Sequence, residues 1–154
     1  MTTPSAIQAA VVASLATRYP DLTVAAHGGQ FTERELPMLL AQAPALLVAI
    51  AGIGDLRPYL ETGWLGTVRW AVYVLGADVP ADPPDPAQPR AALASDTAFD
   101  LLLWLPDQRW NLAGARLPDP DSFAADNLYT GHVNVLRVAL WGVTWTQTFH
   151  FTME

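Results

Sequence analysis

The apolar positions of this chain repeat with two distinct periods, and the segments between them are punctuated by proline and glycine. The clearest case is the stretch 139–151, ALWGVTWTQTFHF, in which Trp141, Val143, Trp145, Phe149 and Phe151 recur at every second position, interrupted only by Gln147. Gly142, Thr144, Thr146, Thr148 and His150 fall on the opposite side. A period of two is that of a strand, so one face is aromatic and the other polar. Burying each large aromatic side chain is worth roughly 1.5–3 kcal/mol, which makes the aromatic face core. At the other end of the sequence, Ile7, Val11 and Leu15 are spaced by four after Pro4 and before Pro20, which predicts an amphipathic helix.

The intervening segments follow from the same signals. Residues 21–27, DLTVAAH, read as a short strand ended by Gly28 and Gly29. In 31–44, Thr32 can cap the amide of Glu35, Glu35 can reach back, and Phe31 can staple onto Leu36, the start of a helix that Pro44 ends. Pro37 removes one helical hydrogen bond, so the first turn is expected to stand apart from the regular helix. The continuous apolar run 45–52 predicts a strand covered on both faces, and 67–76, TVRWAVYVLG, predicts a second central strand. Between them, 53–66 reads as a turn-rich connection that exposes Arg57, Tyr59 and Trp64.

Residues 78–89, DVPADPPDPAQP, are acidic and proline-rich, with Asp82 and Asp85 among the prolines, and read as an extended, semi-rigid loop. A helix is expected over 89–105 with Leu93, Phe99, Leu102 and Leu103 buried and Pro106 as its stop. A long irregular stretch follows, with one short strand near Trp110, before a final strand in which Gly142 marks a bulge or bend. The sum is a single α+β domain over 1–154, a mixed or mainly antiparallel sheet of four to five strands with two to three helices packed on one face.

Composition narrows the partners. The 154 residues carry no lysine, eight basic residues that are all arginine, fifteen acids and a net charge of −7. The arginines are scattered singly along the chain, whereas a duplex-binding surface clusters its cations, so sequence-specific nucleic-acid binding is not expected. No cysteine is present, which removes disulfides, thiolate metal sites and a cysteine nucleophile. The start of the chain lacks a basic n-region, and the longest apolar stretch, 43–53, is too short to span a bilayer and contains Pro44. A soluble protein with no membrane association is expected.

Catalytic chemistry finds no carrier. His27, His132 and His150 lie far apart with no second ligand at helical or strand spacing, so no metal is expected. The stretch 119–126, DPDSFAAD, lacks the glycine and closing glutamate of a calcium loop and reads as a proline-aspartate turn. Gly52 and Gly54 follow a strand without the third glycine of a phosphate cradle. The serines sit in no nucleophile elbow, and Glu33 and Glu35 belong to a helix start where acids are favoured anyway. No enzyme activity and no cofactor are expected.

The order of segments carries one further indication. An N-terminal amphipathic helix, then FTERELPMLLAQAPALLVAIAG, TVRWAVYVLG, TAFDLLLWL, WNLAGARLP and the closing ALWGVTWTQTF together resemble small tail-module proteins of Mu-like phages and related prophages, a family similar to phage tail terminators. The likeness covers nearly the whole chain and rests on the passage ELPMLLAQAPALLVA and the terminal aromatic strand. It implies a structural protein that forms a hexameric ring at the head-proximal end of the tail tube. Such a ring stops tube polymerisation and docks the tail to the head connector. Assembly would occur in the host cytoplasm and the product would reside in the virion. The implied partners are copies of the chain itself, the tail tube protein, the head-tail connector protein and the tail sheath, with DNA passing through the lumen. An acidic lumen would repel that DNA.

Head-to-tail contacts in a ring need two different exposed patches. Arg57, Tyr59 and Trp64, together with Asp82 and Asp85 of the proline-rich loop, are the candidate interface residues, since exposed Trp, Tyr and Arg anchor interfaces. The bland alternative for Trp64 is that it folds back onto the core. The competing functional readings are another virion component, at the connector or near the baseplate, and a peptide-binding module.

Overall fold

In a computed structural model, the described residues are 2–29, 34, 35, 38, 44–77, 90–128 and 138–152. Helix α1 (Pro4–Arg18) leads into strand β1 (Thr23–His27), followed by the long strands β2 (Ala45–Tyr59) and β3 (Gly63–Ala77). Helix α2 (Arg90–Trp104) continues into a 3-10 turn (Leu105–Asp107), then β4 (Ala115–Pro118), β5 (Ala124–Asn127) and β6 (Val138–Thr152). The sheet has six strands in the order β1-β2-β3-β6-β4, with β5 also on β6. β1 runs parallel to β2 and every other pairing is antiparallel. The architecture is therefore the expected α+β sandwich with a mixed sheet, one strand richer than anticipated. The loop 78–89 and most of the helical stretch anticipated over 31–44 lie outside the described residues.

Local chemistry accounts for the first helix. Thr3 caps it, its hydroxyl accepting from the Ala6 amide at 3.2 Å, and Pro4 occupies the first turn. Ile7, Val11 and Leu15 are buried against the sheet, as their spacing predicts. Gln8 adds a polar tie, donating to the Val48 carbonyl at 2.8 Å.

Helix α2 departs from expectation in its register. Ala94, Ala98 and Leu101 are buried, as is Leu105 in the following 3-10 turn, Leu93 and Leu102 are half-buried, and Phe99 is 62% and Leu103 66% exposed. The reason lies beneath the helix, where the sheet presents Trp70 and Trp145 stacked at 5.8 Å with 14° between their planes, and Phe149 edge-on to Trp70. Those rings supply the bulk, so the helix must present small residues to approach them. The two helices are joined at the surface by Arg18, which donates twice to the Asp100 carboxylate at 3.0 and 3.2 Å, and by the Tyr19 hydroxyl at 2.5 Å.

The single polar residue on the aromatic face of β6 has its own explanation. Gln147 is 1% exposed. Its side-chain oxygen accepts from the Trp110 indole at 2.8 Å and, at 3.5 Å, from that of Trp145. Its amide donates to the Gln108 carbonyl at 2.9 Å and the Arg116 carbonyl at 2.6 Å. One fully used amide thus pins the segment 108–116 to the sheet. Trp110 is not in a strand: it and Asn111 both have φ of +56°, the left-handed region of a tight turn.

Three other expectations change. Residues 53–59 continue β2 instead of forming a loop, and β2 and β3 make a long hairpin turned at 60–62. Gly142 pairs with Tyr73 in an unbroken β3–β6 register, so it marks no bulge on that side. A side chain at Gly142 would instead meet Leu128, 3.1 Å away. The stretch after Trp110 supplies two short strands, β4 and β5, which pair with successive segments of the outer edge of β6.

Candidate interaction face

The sheet face turned away from the helices is divided in two. Towards one end, Leu47, Ala49, Ala71, Leu75 and Leu140 are buried, and the Tyr73 hydroxyl donates to the Gly29 carbonyl at 2.8 Å. Burial pushes the Tyr73 phenol above its ordinary pKa. Towards the other end the same face is polar and open. Period two puts Thr67 and Arg69 of β3 beside Thr144, Thr146, Thr148 and His150 of β6. The register pairs Thr67 with Thr148, Arg69 with Thr146 and Leu65 with His150. The hydroxyls of Thr67 and Thr148 lie 3.3 Å apart and share a hydrogen bond.

Two bulges in β2 shape the open end. Register shifts fall between Ile50 and Gly52 and between Gly54 and Arg57, the second containing Asp55 at φ of +53°. The first sets Gly52 opposite Arg69, whose guanidinium lies in the space a side chain at Gly52 would fill. A groove of about 460 Å³ runs over this surface, lined among others by Asp55, Thr67, Arg69, Arg116, Asp119 and Thr148. Asp119 is engaged in its own turn, one carboxylate oxygen accepting from the Asp121 amide at 3.0 Å. That is the proline-aspartate turn expected there.

A second groove of about 500 Å³ adjoins it at the hairpin tip and shares Arg116 and Leu117. Tyr59, Leu65, Arg109 and His150 also line it, and none of the described residues that line it is acidic. Tyr59 meets the His150 ring edge-on at 5.1 Å. His150 in turn fits against Gly63, where a side chain would collide with its ring, and lies close to Gly114, where a side chain would crowd it. Arg109 and Arg116 arrive here because the segment carrying them is held by Gln147.

The candidate interface residues are distributed as follows. Arg57 and Tyr59 lie on β2 on the open face, in register with Leu65 and Gly63. Trp64 pairs with Pro58 and Phe151 on the opposite, helix-side face and is 40% exposed. It therefore does not join Arg57 and Tyr59 in one patch. Asp82 and Asp85 lie outside the described residues.

Sequence reading missed the convergence of cations. Arg57, Arg69, Arg109 and Arg116, four of the eight arginines, lie on or at the rim of this half-face. The described ion pairs are Arg18 with Asp100 and His27 with Glu35, and none of these four takes part in them. Their separation along the chain hid a grouping that only the strand register creates. The sequence matches no protein-family model and no curated protein.

Proposed function

We propose that this protein is a phage tail terminator, a ring-forming structural subunit that caps the head-proximal end of the tail tube and docks it to the head connector. The observation that carries the reading is a pair of unlike sheet edges. Among the described residues, β1 covers β2 only from Ala45 to Ala49, leaving 52–59 without a strand on the side away from β3, and this edge presents Ile53, Leu56 and Tyr59. The opposite edge, at β5, presents the exposed Ala124 and Asp126, with the exposed Leu128 just beyond. A head-to-tail ring requires two different surfaces on each subunit. The order of segments along the chain supports the same reading.

The two bulges in β2 interrupt its free edge, which favours docking through side chains over addition of a continuous strand. That weighs against a module that captures peptides by strand addition. Another position in the virion, at the connector or near the baseplate, would use the same edges. Electron microscopy of lysates from a phage lacking this gene separates the cases. Tubes of uncontrolled length, unattached to filled heads, are the expected result, and tails of normal length would remove the terminator reading.

A further inference from the structure

We infer that the groove at the hairpin tip receives the acidic, proline-rich segment 78–89 of a second copy of this chain. The inference rests on the ring reading above and names the contact that would join neighbouring subunits. Its ground is chemical complementarity. The groove combines two arginines, Arg109 and Arg116, with the aromatic Tyr59 and His150, and has no acidic residue among the described residues that line it. The segment 78–89 alternates Asp78, Asp82 and Asp85 with prolines. Proline-rich segments dock in aromatic-lined grooves because their extended form loses little entropy on binding, and arginine pairs with carboxylates in a two-pronged fork. A chain of net charge −7 in which these arginines stand outside the ion pairs of the described residues has a cationic surface suited to its own acidic part.

Chain length assigns the occupant to another copy. Leu65, at the groove, lies twelve strand residues from Ala77, or about 40 Å at the usual rise of a strand. Asp82 follows Ala77 by five residues and Asp85 by eight, reaching at most about 18 and 28 Å when fully extended. Neither spans the distance within one molecule. The groove and the segment are therefore two unlike ends of one chain, and their pairing between copies is head-to-tail.

The absence of native cysteine makes a cross-linking test clean. Arg116→Cys and Asp85→Cys variants, carried on chains of different size, are mixed and oxidised. An Ala16→Cys variant, altered at an exposed position of α1, replaces Arg116→Cys in the control. The expected result is a mixed disulfide between positions 85 and 116 at least tenfold above the 85–16 product, with the excess lost in about 1 M salt, where screening shortens to roughly 3 Å. Equal yields of the two products, or no cross-link, overturn the inference.

Charge reversal gives a second reading. Arg109→Glu with Arg116→Glu should weaken self-association at least tenfold, and adding Asp82→Arg with Asp85→Arg should restore it. Failure of restoration in a folded protein counts against the contact. Sedimentation of the unaltered protein is read separately. A closed oligomer without the 85–116 product removes this contact and leaves the ring, whereas the product without a closed oligomer keeps the contact and removes the ring.

Discussion

The two faces of β3 and β6 are made by the same strands in one register, yet they do different work. On the helix side, Val72 stands beside Val143 and Trp70 beside Trp145, buried together with Ala94, Ala98 and Leu101 of α2 in the hydrophobic core. On the other side, one residue along each strand, Arg69 stands beside Thr146 and Thr67 beside Thr148, lining an open groove. The difference teaches that burial, not strand geometry, divides the face that stabilises the fold from the face left open. Aromatic burial stabilises the fold, and that leaves the polar face free to carry charge that contributes little to folding.

Substitutions should expose this asymmetry. Trp145→Ala removes a stacked, buried ring and is expected to cost about 3–5 kcal/mol in urea unfolding. Thr146→Ala, its neighbour on the opposite face, should stay within about 0.5 kcal/mol. Comparable losses at the two positions would erase the distinction.

Gln147 is the residue that links the faces. Gln147→Leu keeps the volume but leaves the Trp110 indole and the Gln108 and Arg116 carbonyls without their partner, each worth roughly 1–3 kcal/mol. We expect a large loss of stability together with an altered near-ultraviolet signal from Trp110, since the segment bearing Arg109 and Arg116 is released. An unchanged melt would show that this amide does not hold the groove.

The junction between α1 and α2 contributes to the pH dependence of stability. Burial, then the hydrogen bond to Asp100, raise the Tyr19 phenol far above its usual value near 10. A raised folded pKa means that the native state holds the proton longer than the unfolded chain. Its stabilisation is complete below about pH 10 and falls as pH rises beyond it. Denaturation midpoints measured at pH 8 and pH 11 should show this decline. Tyr19→Phe should make it shallower without abolishing it, because burial raises Tyr73 in the same direction. An identical slope in the variant would contradict the assignment to Tyr19.

The smallest effect on folding is expected on the open face. Arg69→Ala and Arg116→Ala, both exposed and outside the described ion pairs, should leave stability within about 0.5 kcal/mol. A cost above about 1 kcal/mol would mean that these side chains belong to the fold.

The helix-side half of this arrangement was legible in the sequence. The spacing of Ile7, Val11 and Leu15 and the alternation from Trp141 to Phe151 follow directly from helix and strand periods. Three features resisted for physical reasons. The inward side of α2 carries alanines because the bulk comes from tryptophans far away in sequence, so hydrophobicity within the helix pointed to Phe99 and Leu103 instead. Residues 53–59 contain the turn-like residues Gly54, Asp55 and Pro58, which are accommodated in and beside a bulge of a continuing strand. The arginine face needs the pairing of β2, β3 and β6 and the tether from Gln147, none of which is local.

The helix-covered face holds the fold, and the proposal made above is that the open half of the other face joins one copy to the next. Its most direct test is the mass of the protein in solution by sedimentation equilibrium, compared with an Arg109→Glu and Arg116→Glu double variant at the same concentration. A closed oligomer is expected for the unaltered protein and a monomer for the variant, both with the same far-ultraviolet circular dichroism and thermal midpoint. Equal masses for the two folded proteins would contradict it.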